Sequence, residues 1–159
     1  MNFRIGYGYD VHQLEAGREF WLGGVRLKHT HGAKGHSDAD VLIHAICDAL
    51  LGATNLRDIG HHFPDTDPQY QGIDSKKLLR EVMQLVRKER YELGNIDATI
   101  CLEVPKVNPH IPTMKSCLAE VMKVAENDIS LKATTSEKMG FVGRKEGVAA
   151  HAVALIYRT

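Results

Sequence analysis

The sequence predicts an α+β fold: a mixed four-stranded sheet with helices packed on one face, plus a small N-terminal hairpin. Three observations lead there. The chain opens and closes on apolar, strand-like segments, "NFRIGYGYDV" and "VAAHAVALIYR". Between them, long stretches repeat apolar residues at helical spacing. The elements run strand, hairpin, helix, loop, helix, strand, helix, strand, strand, and a mixed sheet covered on one side is the natural way to bury their apolar faces. At 159 residues the chain suits one compact domain, 1–159, with its own core.

Each element has a local reason. Phe3 to Val11 reads as a strand. "FWLGGVRL" sets Gly23-Gly24 between apolar runs, which reads as a hairpin. "THGAKGHSDAD" reads as loop. In "DVLIHAICDALLGAT", Val41, Leu42, Ala45, Ile46, Ala49, Leu50 and Ala53 recur at helical spacing, and Ser37 with Asp40 resembles a capping box. "NLRDIGHHFPDTDPQYQGIDS" is a long polar connection, and such lengths in a compact domain serve function or motion. "SKKLLREVMQLVRKERYEL" is an amphipathic surface helix, with its end expected near Gly94. "NIDATICLEV" is a strand and "PKVNPH" a loop. Pro112 is a first-turn proline leading into "IPTMKSCLAEVMKVA". "DISLKATT" is a strand, "SEKMGFVGRKEG" a turn-rich loop, and "VAAHAVALIYR" the last strand.

Lys+Arg and Asp+Glu both total 20, so the formal net charge is zero. That balance excludes a general nucleic-acid binder and a polybasic membrane binder, and leaves room for a small anionic substrate held by a local positive site. Nine histidines in so short a chain, several of them clustered, favour metal work. Cys47, Cys101 and Cys117 form an odd set without C-x-x-C, as expected of small core residues in a reducing compartment. No apolar run approaches a membrane span, and the strand-like N-terminus shows neither signal nor transit peptide. The expected location is the cytoplasm.

Chemistry concentrates in four places. In "GYGYDVHQL", Asp10 and His12 stand two apart, so a strand points them to one face. On the first helix, Asp40, His44 and Asp48 form a polar stripe at four-residue spacing. One reading of the stripe is a solvated face. The other joins His44 to Asp10 and His12 as two nitrogens and one oxygen, a zinc set with an open fourth position, with Asp40 or Asp48 orienting an imidazole. "GHSDAD" puts His36 and Ser37 before a helix start, which reads either as an anion site or as an ordinary cap. "RDIGHHFPDTDP" holds Asp58, Asp65 and Asp67, suited to a divalent ion or simply to turns, and places His61-His62 toward solvent. "KATTSEKMGF" gathers Thr134, Thr135, Glu137 and Lys138, suited to a phosphate–magnesium unit or to a polar strand end. Nothing in the sequence reads as a serine or cysteine nucleophile.

Five segments, "RIGYGYDVHQL", "GHSDADVLIHAICDALLGA", "DIGHHFPDTDP", "PKVNPHIPTM" and "KATTSEKMGFVGRKEG", resemble the motifs of the 2-C-methyl-D-erythritol 2,4-cyclodiphosphate synthase family, in that family's order. The resemblance spans essentially the whole chain. It implies a homotrimeric enzyme of the non-mevalonate isoprenoid pathway, with active sites between subunits. The implied reaction converts 4-diphosphocytidyl-2-C-methyl-D-erythritol 2-phosphate to the cyclic diphosphate and CMP, with one Zn²⁺ and a second ion, Mg²⁺ or Mn²⁺, per site. Carried over by motif, Asp10, His12 and His44 would ligate zinc, and Glu137 the second ion. His36 and Ser37 would contact phosphate and the erythritol unit. Asp58 would bond the erythritol hydroxyls, with Ile59 and Gly60 nearby and the Phe63–Asp67 loop, including Asp65, closing over it. Leu102, Pro105 and Lys106 would form the cytidine pocket, and Thr134 and Thr135 would reach the diphosphate from a neighbouring subunit. Asp58, Thr135 and Glu137 would be the catalytic set.

Two positions depart from the family pattern: Tyr9 stands where Phe is common, and His151 where a carboxylate is common. With Phe141 and Arg144 they would line a three-fold cavity able to hold an isoprenoid diphosphate. Two other classes compete with the synthase reading: a non-catalytic isoprenoid-diphosphate-binding trimer, and a metal-dependent phosphohydrolase.

Overall fold

The structure, a computed structural model, describes residues 2–159. The sheet has five strands, in the order β4(His31–Ala33), β1(Phe3–Ala16), β7(Gly147–Arg158), β5(Tyr91–Cys101), β6(Ile129–Thr134). It is mixed, since β5 and β6 run parallel and the other pairings are antiparallel. The expected four strands are therefore joined by a fifth. β1 also runs five residues past Val11, and its extra length pairs Leu14–Ala16 with the short edge strand β4. A separate two-stranded pair, β2(Phe20–Leu22) and β3(Val25–Leu27), turns at Gly23-Gly24, both at positive φ, as a tight primed hairpin turn requires.

Helices cover one face of the sheet. Helix α1(Val41–Thr54) lies directly on β1 and β7 and is buried nearly all round, as an interior helix should be. The close approach has a specific cause. Gly6, Gly8, Asp10 and His12 share the inner face of β1. A Cβ at Gly6 would stand 1.8 Å from the Ala49 carbonyl oxygen, and one at Gly8 1.9 Å from that of Ala45. Only glycine admits the helix backbone there. Helix α3(Ser75–Lys88) buries Leu78, Leu79, Val82, Met83 and Val86. It ends at Lys88 rather than near Gly94. Arg90, at φ 63°, makes the reversal, and Gly94 lies inside β5 at a register irregularity.

Asp40, wholly buried, caps α1 by accepting the Ile43 N–H at 3.1 Å. It also accepts the Gly23 and Gly24 N–H groups at 2.9 and 2.7 Å, so it ties the hairpin to the helix start. Ser37 is not part of that cap, and accepts the Ala39 N–H instead. The long polar connection carries a four-residue helix, α2(Ile59–His62), and a 3₁₀ turn at Pro68–Tyr70. Helix α4(Ile111–Met122) follows Pro105, and α5(Gly140–Gly143) sits in the glycine-rich loop before β7.

Among the described residues, the other sheet face meets only the short helix α5, whose Phe141 ring lies against Gly147 at one end of β7. Phe3, Ile5, Tyr7, Tyr9 and Val11 alternate outward from β1, beside Val153 and Tyr157 of β7, all of them exposed. No helix among the described residues is long and apolar enough to cross a membrane.

Candidate metal centre

Asp10 and His12 arrive from the inner row of β1, and His44 from the first turn of α1. The Asp10 Oδ2 lies 3.0 Å from His12 Nε2 and 3.0 Å from His44 Nδ1, and the two nitrogens are 3.3 Å apart. Bonds of 2.0–2.1 Å around a tetrahedral ion place ligands about 3.3 Å from one another. The triangle has that size, and two imidazoles turning nitrogens toward one carboxylate oxygen suit a shared cation. Among the described residues this is the only group of three or more ligand side chains so placed. At His44 the polar stripe on α1 therefore turns inward and joins a group of three side chains that could hold a metal ion.

The electrostatics agree. Burial alone would raise the Asp10 pKa, but hydrogen bonds and charge from His12 and His44 hold the carboxyl far below its usual range. For His44, burial disfavours the cation, yet the bond to Asp10 and its charge prevail and push the imidazole above its ordinary value. Neither Asp40 nor Asp48 orients an imidazole, contrary to the sequence expectation. Asp40 is committed to backbone donors, and Asp48 accepts the Ile59 N–H at 2.7 Å. The partners of His44 Nε2 are Ser75 Oγ at 2.9 Å and Ser37 Oγ at 3.2 Å. Ser75 in turn bonds Asp38. Sequence reasoning missed this pair, which meets His44 only through the fold.

A cavity of about 390 Å³ opens over the triad, lined by His12, His36, Ser37, His44, Ile59, Gly60, Phe63 and Asp65 among others. His36 leans on the Asp67 carbonyl at 3.4 Å. Two of the expected carboxylates are engaged locally: Asp58 caps α2 through the His61 N–H, and Asp67 caps the Pro68 turn. His62 does not face solvent freely, since its Nε2 meets the Leu56 carbonyl at 2.8 Å.

A second, smaller cavity of about 90 Å³ gathers Leu102, Glu103, Pro105, Lys106, Thr134 and Thr135. Glu137 stands beside it at φ 53°, 3.5 Å from Thr135 Oγ1. Glu103 organises this loop by accepting the Ser136 and Lys138 N–H groups at 3.0 and 3.3 Å. No sequence signal marked that role. Register puts Val11, Ala149, Cys101 and Thr134 in one row across β1, β7, β5 and β6. Three strand spacings separate the ends of that row, about 14 Å. The triad and the Thr134–Glu137 loop therefore occupy the same end of the sheet without meeting inside one chain. Phe141 and Arg144 stand apart from both cavities, with Arg144 paired to Glu146 at 3.0 Å.

These features define a class: a small α+β protein with an open-sided site of two imidazoles and a carboxylate, suited to a divalent metal. The YgbB family model matches residues 3–157, and the chain belongs to that family. The chain is 69% identical over 154 residues to the 2-C-methyl-D-erythritol 2,4-cyclodiphosphate synthase of Porphyromonas gingivalis, covering 97% of this chain and 95% of that protein. It is 66% identical to the synthase of Parabacteroides distasonis, over 99% of this chain and 98% of the other. Among solved structures, a 2C-methyl-D-erythritol-2,4-cyclodiphosphate synthase in a CDP-bound form superposes with a TM-score of 0.89 at 40% identity, over 96% of this chain and 99% of that one. The bifunctional IspDF of Campylobacter jejuni gives 0.95 at 40% identity, over 99% of this chain, which spans 42% of that longer protein.

Proposed function

We propose that the chain converts 4-diphosphocytidyl-2-C-methyl-D-erythritol 2-phosphate to 2-C-methyl-D-erythritol 2,4-cyclodiphosphate and CMP, as a step of isoprenoid biosynthesis. The observation that carries the reading is the convergence of Asp10, His12 and His44 beneath a cavity, in a chain 69% identical to a synthase of that name. The reaction is an intramolecular attack of the substrate's 2-phosphate on its β-phosphorus, so it needs no protein nucleophile. It needs positioning and charge compensation.

In this reading Asp10, His12 and His44 hold Zn²⁺. Glu137 holds the second ion, Mg²⁺ or Mn²⁺; a lone carboxylate suits such an ion when substrate phosphates complete its shell. When bound, the two ions offset the repulsion between the anionic phosphates and stabilise charge on the transferred group. The protein supplies geometry. His36 and Ser37 bind phosphate and erythritol at the cavity wall. Asp58, Ile59 and Gly60 hold the hydroxyls, and the segment from Phe63 through Asp65 to Asp67 shields them. Leu102, Pro105 and Lys106 seat the cytidine, and Thr134 and Thr135 meet the diphosphate. Fixing a flexible substrate in a reactive fold contributes as much as ~7–11 kcal/mol in favourable systems.

The reading includes a homotrimer, supported by two features. The outer face of β1 and β7 exposes a continuous apolar surface, and such a face marks an interaction site. The separation of the triad from the Glu137 loop is closed when a neighbouring subunit supplies the loop. Tyr9 and His151, whose rings lie 4.9 Å apart on that face, then border the three-fold axis with Phe141 and Arg144, where an isoprenoid diphosphate is the proposed occupant. Three free cysteines accord with the cytoplasm as its compartment.

The test is incubation with the cytidyl substrate, zinc and magnesium, read by phosphorus NMR. The cyclic diphosphate with CMP is expected. Inorganic phosphate in its place would make the chain a phosphohydrolase, and no turnover would make it a binding trimer.

A further inference from the structure

We infer that Ser75 and Asp38 are positioning residues for the metal centre, locking the His44 ring in the orientation and tautomer that aim Nδ1 at the ion. The inference rests on the zinc reading of the triad and adds to it a line of three side chains from three separate segments, with the buried Ser75 at its centre.

Ser75, the first residue of α3, is completely buried although its side chain is polar. Its Oγ lies 2.9 Å from His44 Nε2 and donates to Asp38 Oδ1. Asp38 is half-buried in the loop before α1. Its Oδ2 accepts the Ser75 backbone N–H at 3.0 Å, and its Oδ1 accepts the Asp40 N–H at 3.2 Å.

Donor counting sets the direction of the line. A carboxylate only accepts, so the one hydroxyl proton of Ser75 is committed to Asp38. Ser75 Oγ then has only lone pairs left for the imidazole. Nε2 must therefore carry the ring proton, and in the neutral ring Nδ1 is left with its lone pair. Nδ1 is the atom 3.0 Å from Asp10 Oδ2 and 3.3 Å from His12 Nε2. Ser37 Oγ is the weaker partner at 3.2 Å, and it already accepts the Ala39 N–H. The Asp38 charge, passed through one hydroxyl, makes the ring a better donor to a cation. Partners of this kind typically govern metal affinity by 10–100-fold.

The experiment measures Zn²⁺ affinity of the stripped, full-length protein by competition with a chromophoric chelator, beside thermal unfolding of the metal-free form. Ser75→Ala keeps the backbone bond to Asp38, so its metal-free melting point should stay near wild type while zinc binding weakens roughly 10–100-fold. Asp38→Asn should weaken binding as well. Adding it to Ser75→Ala should cost little more, because the two act in one line. Imidazole nitrogen NMR should show a single His44 tautomer in wild type and a mixture in Ser75→Ala. His44→Ala separates the two claims. If it loses zinc while Ser75→Ala and Asp38→Asn both bind like wild type, the positioning role is overturned. If His44→Ala itself binds zinc like wild type, the metal centre falls, and the positioning role with it.

Discussion

Replacing Gly8 by alanine tests how the metal centre is built. The added Cβ would lie 1.9 Å from the Ala45 carbonyl oxygen and 2.7 Å from the Ala49 nitrogen, where real Cβ contacts stay at 3.0 Å or beyond. Both neighbours are backbone, so no side-chain rotation relieves the clash. Helix α1 must move off β1 by about 1 Å, and His44 is the residue just before Ala45. Overpacking a core costs about 1–3 kcal/mol, and a rigid helix backbone puts this case at the upper end. For a domain of this size that is a fall in melting temperature of roughly 6–12 °C. The same movement opens the 3.0 Å spacing between Asp10 and His44, so zinc affinity should fall even at temperatures where the variant is fully folded. Differential scanning calorimetry and chelator competition read the two effects. Gly52→Ala is the control, since its Cβ meets nothing within 4 Å on an exposed face of the same helix. That change should stabilise the protein by about 0.5–1 kcal/mol. A Gly8→Ala protein that melts and binds zinc like wild type would refute the close-approach argument.

Asp40→Ala leaves the buried Gly23 and Ile43 N–H groups and the half-buried Gly24 N–H group without their acceptor, and urea denaturation should show a loss on the order of 4 kcal/mol. Glu137→Gln should lower turnover most at limiting Mg²⁺ while zinc content, measured by atomic absorption, stays at the wild-type level. The metal-free protein should show a pH signature. The raised His44 pKa gives stability that is complete below the ordinary imidazole value of 6.5 and lost as pH rises through the folded value. The lowered Asp10 pKa gives stability present above 3.8 and lost as pH falls through the folded value. Melting of wild type minus His44→Gln should therefore favour wild type most between those values, with the advantage fading toward alkaline pH. Wild-type and variant curves that run parallel across that range would remove the Asp10–His44 coupling.

The sequence reveals what depends on short-range pattern. The two-residue spacing of Asp10 and His12, the helical periodicity around His44 and the Gly23-Gly24 turn are each visible within a few residues, and the structure realises all three. The parts it hides depend on distant partners. The edge strand His31–Ala33 has loop-like residues and becomes a strand only by pairing with the far end of β1. Asp40 looks like a helix cap, but its greater task is clamping a hairpin sixteen residues earlier. Ser75 reads as an ordinary helix-start residue. Its link to His44 exists only because α3 packs against α1. The helix end at Lys88 escapes the glycine rule because Arg90 itself adopts the left-handed conformation.

The alternation along β1 sets which sequence changes the segment can absorb. Even positions 6 to 12 face helix α1 and the triad, and odd positions 3 to 11 face outward. A point substitution touches one face and spares the other. Loss or gain of one residue within the strand does the reverse, exchanging the inward and outward rows along its whole length. The strand should therefore tolerate exchange of its outward side chains far better than any change in its length.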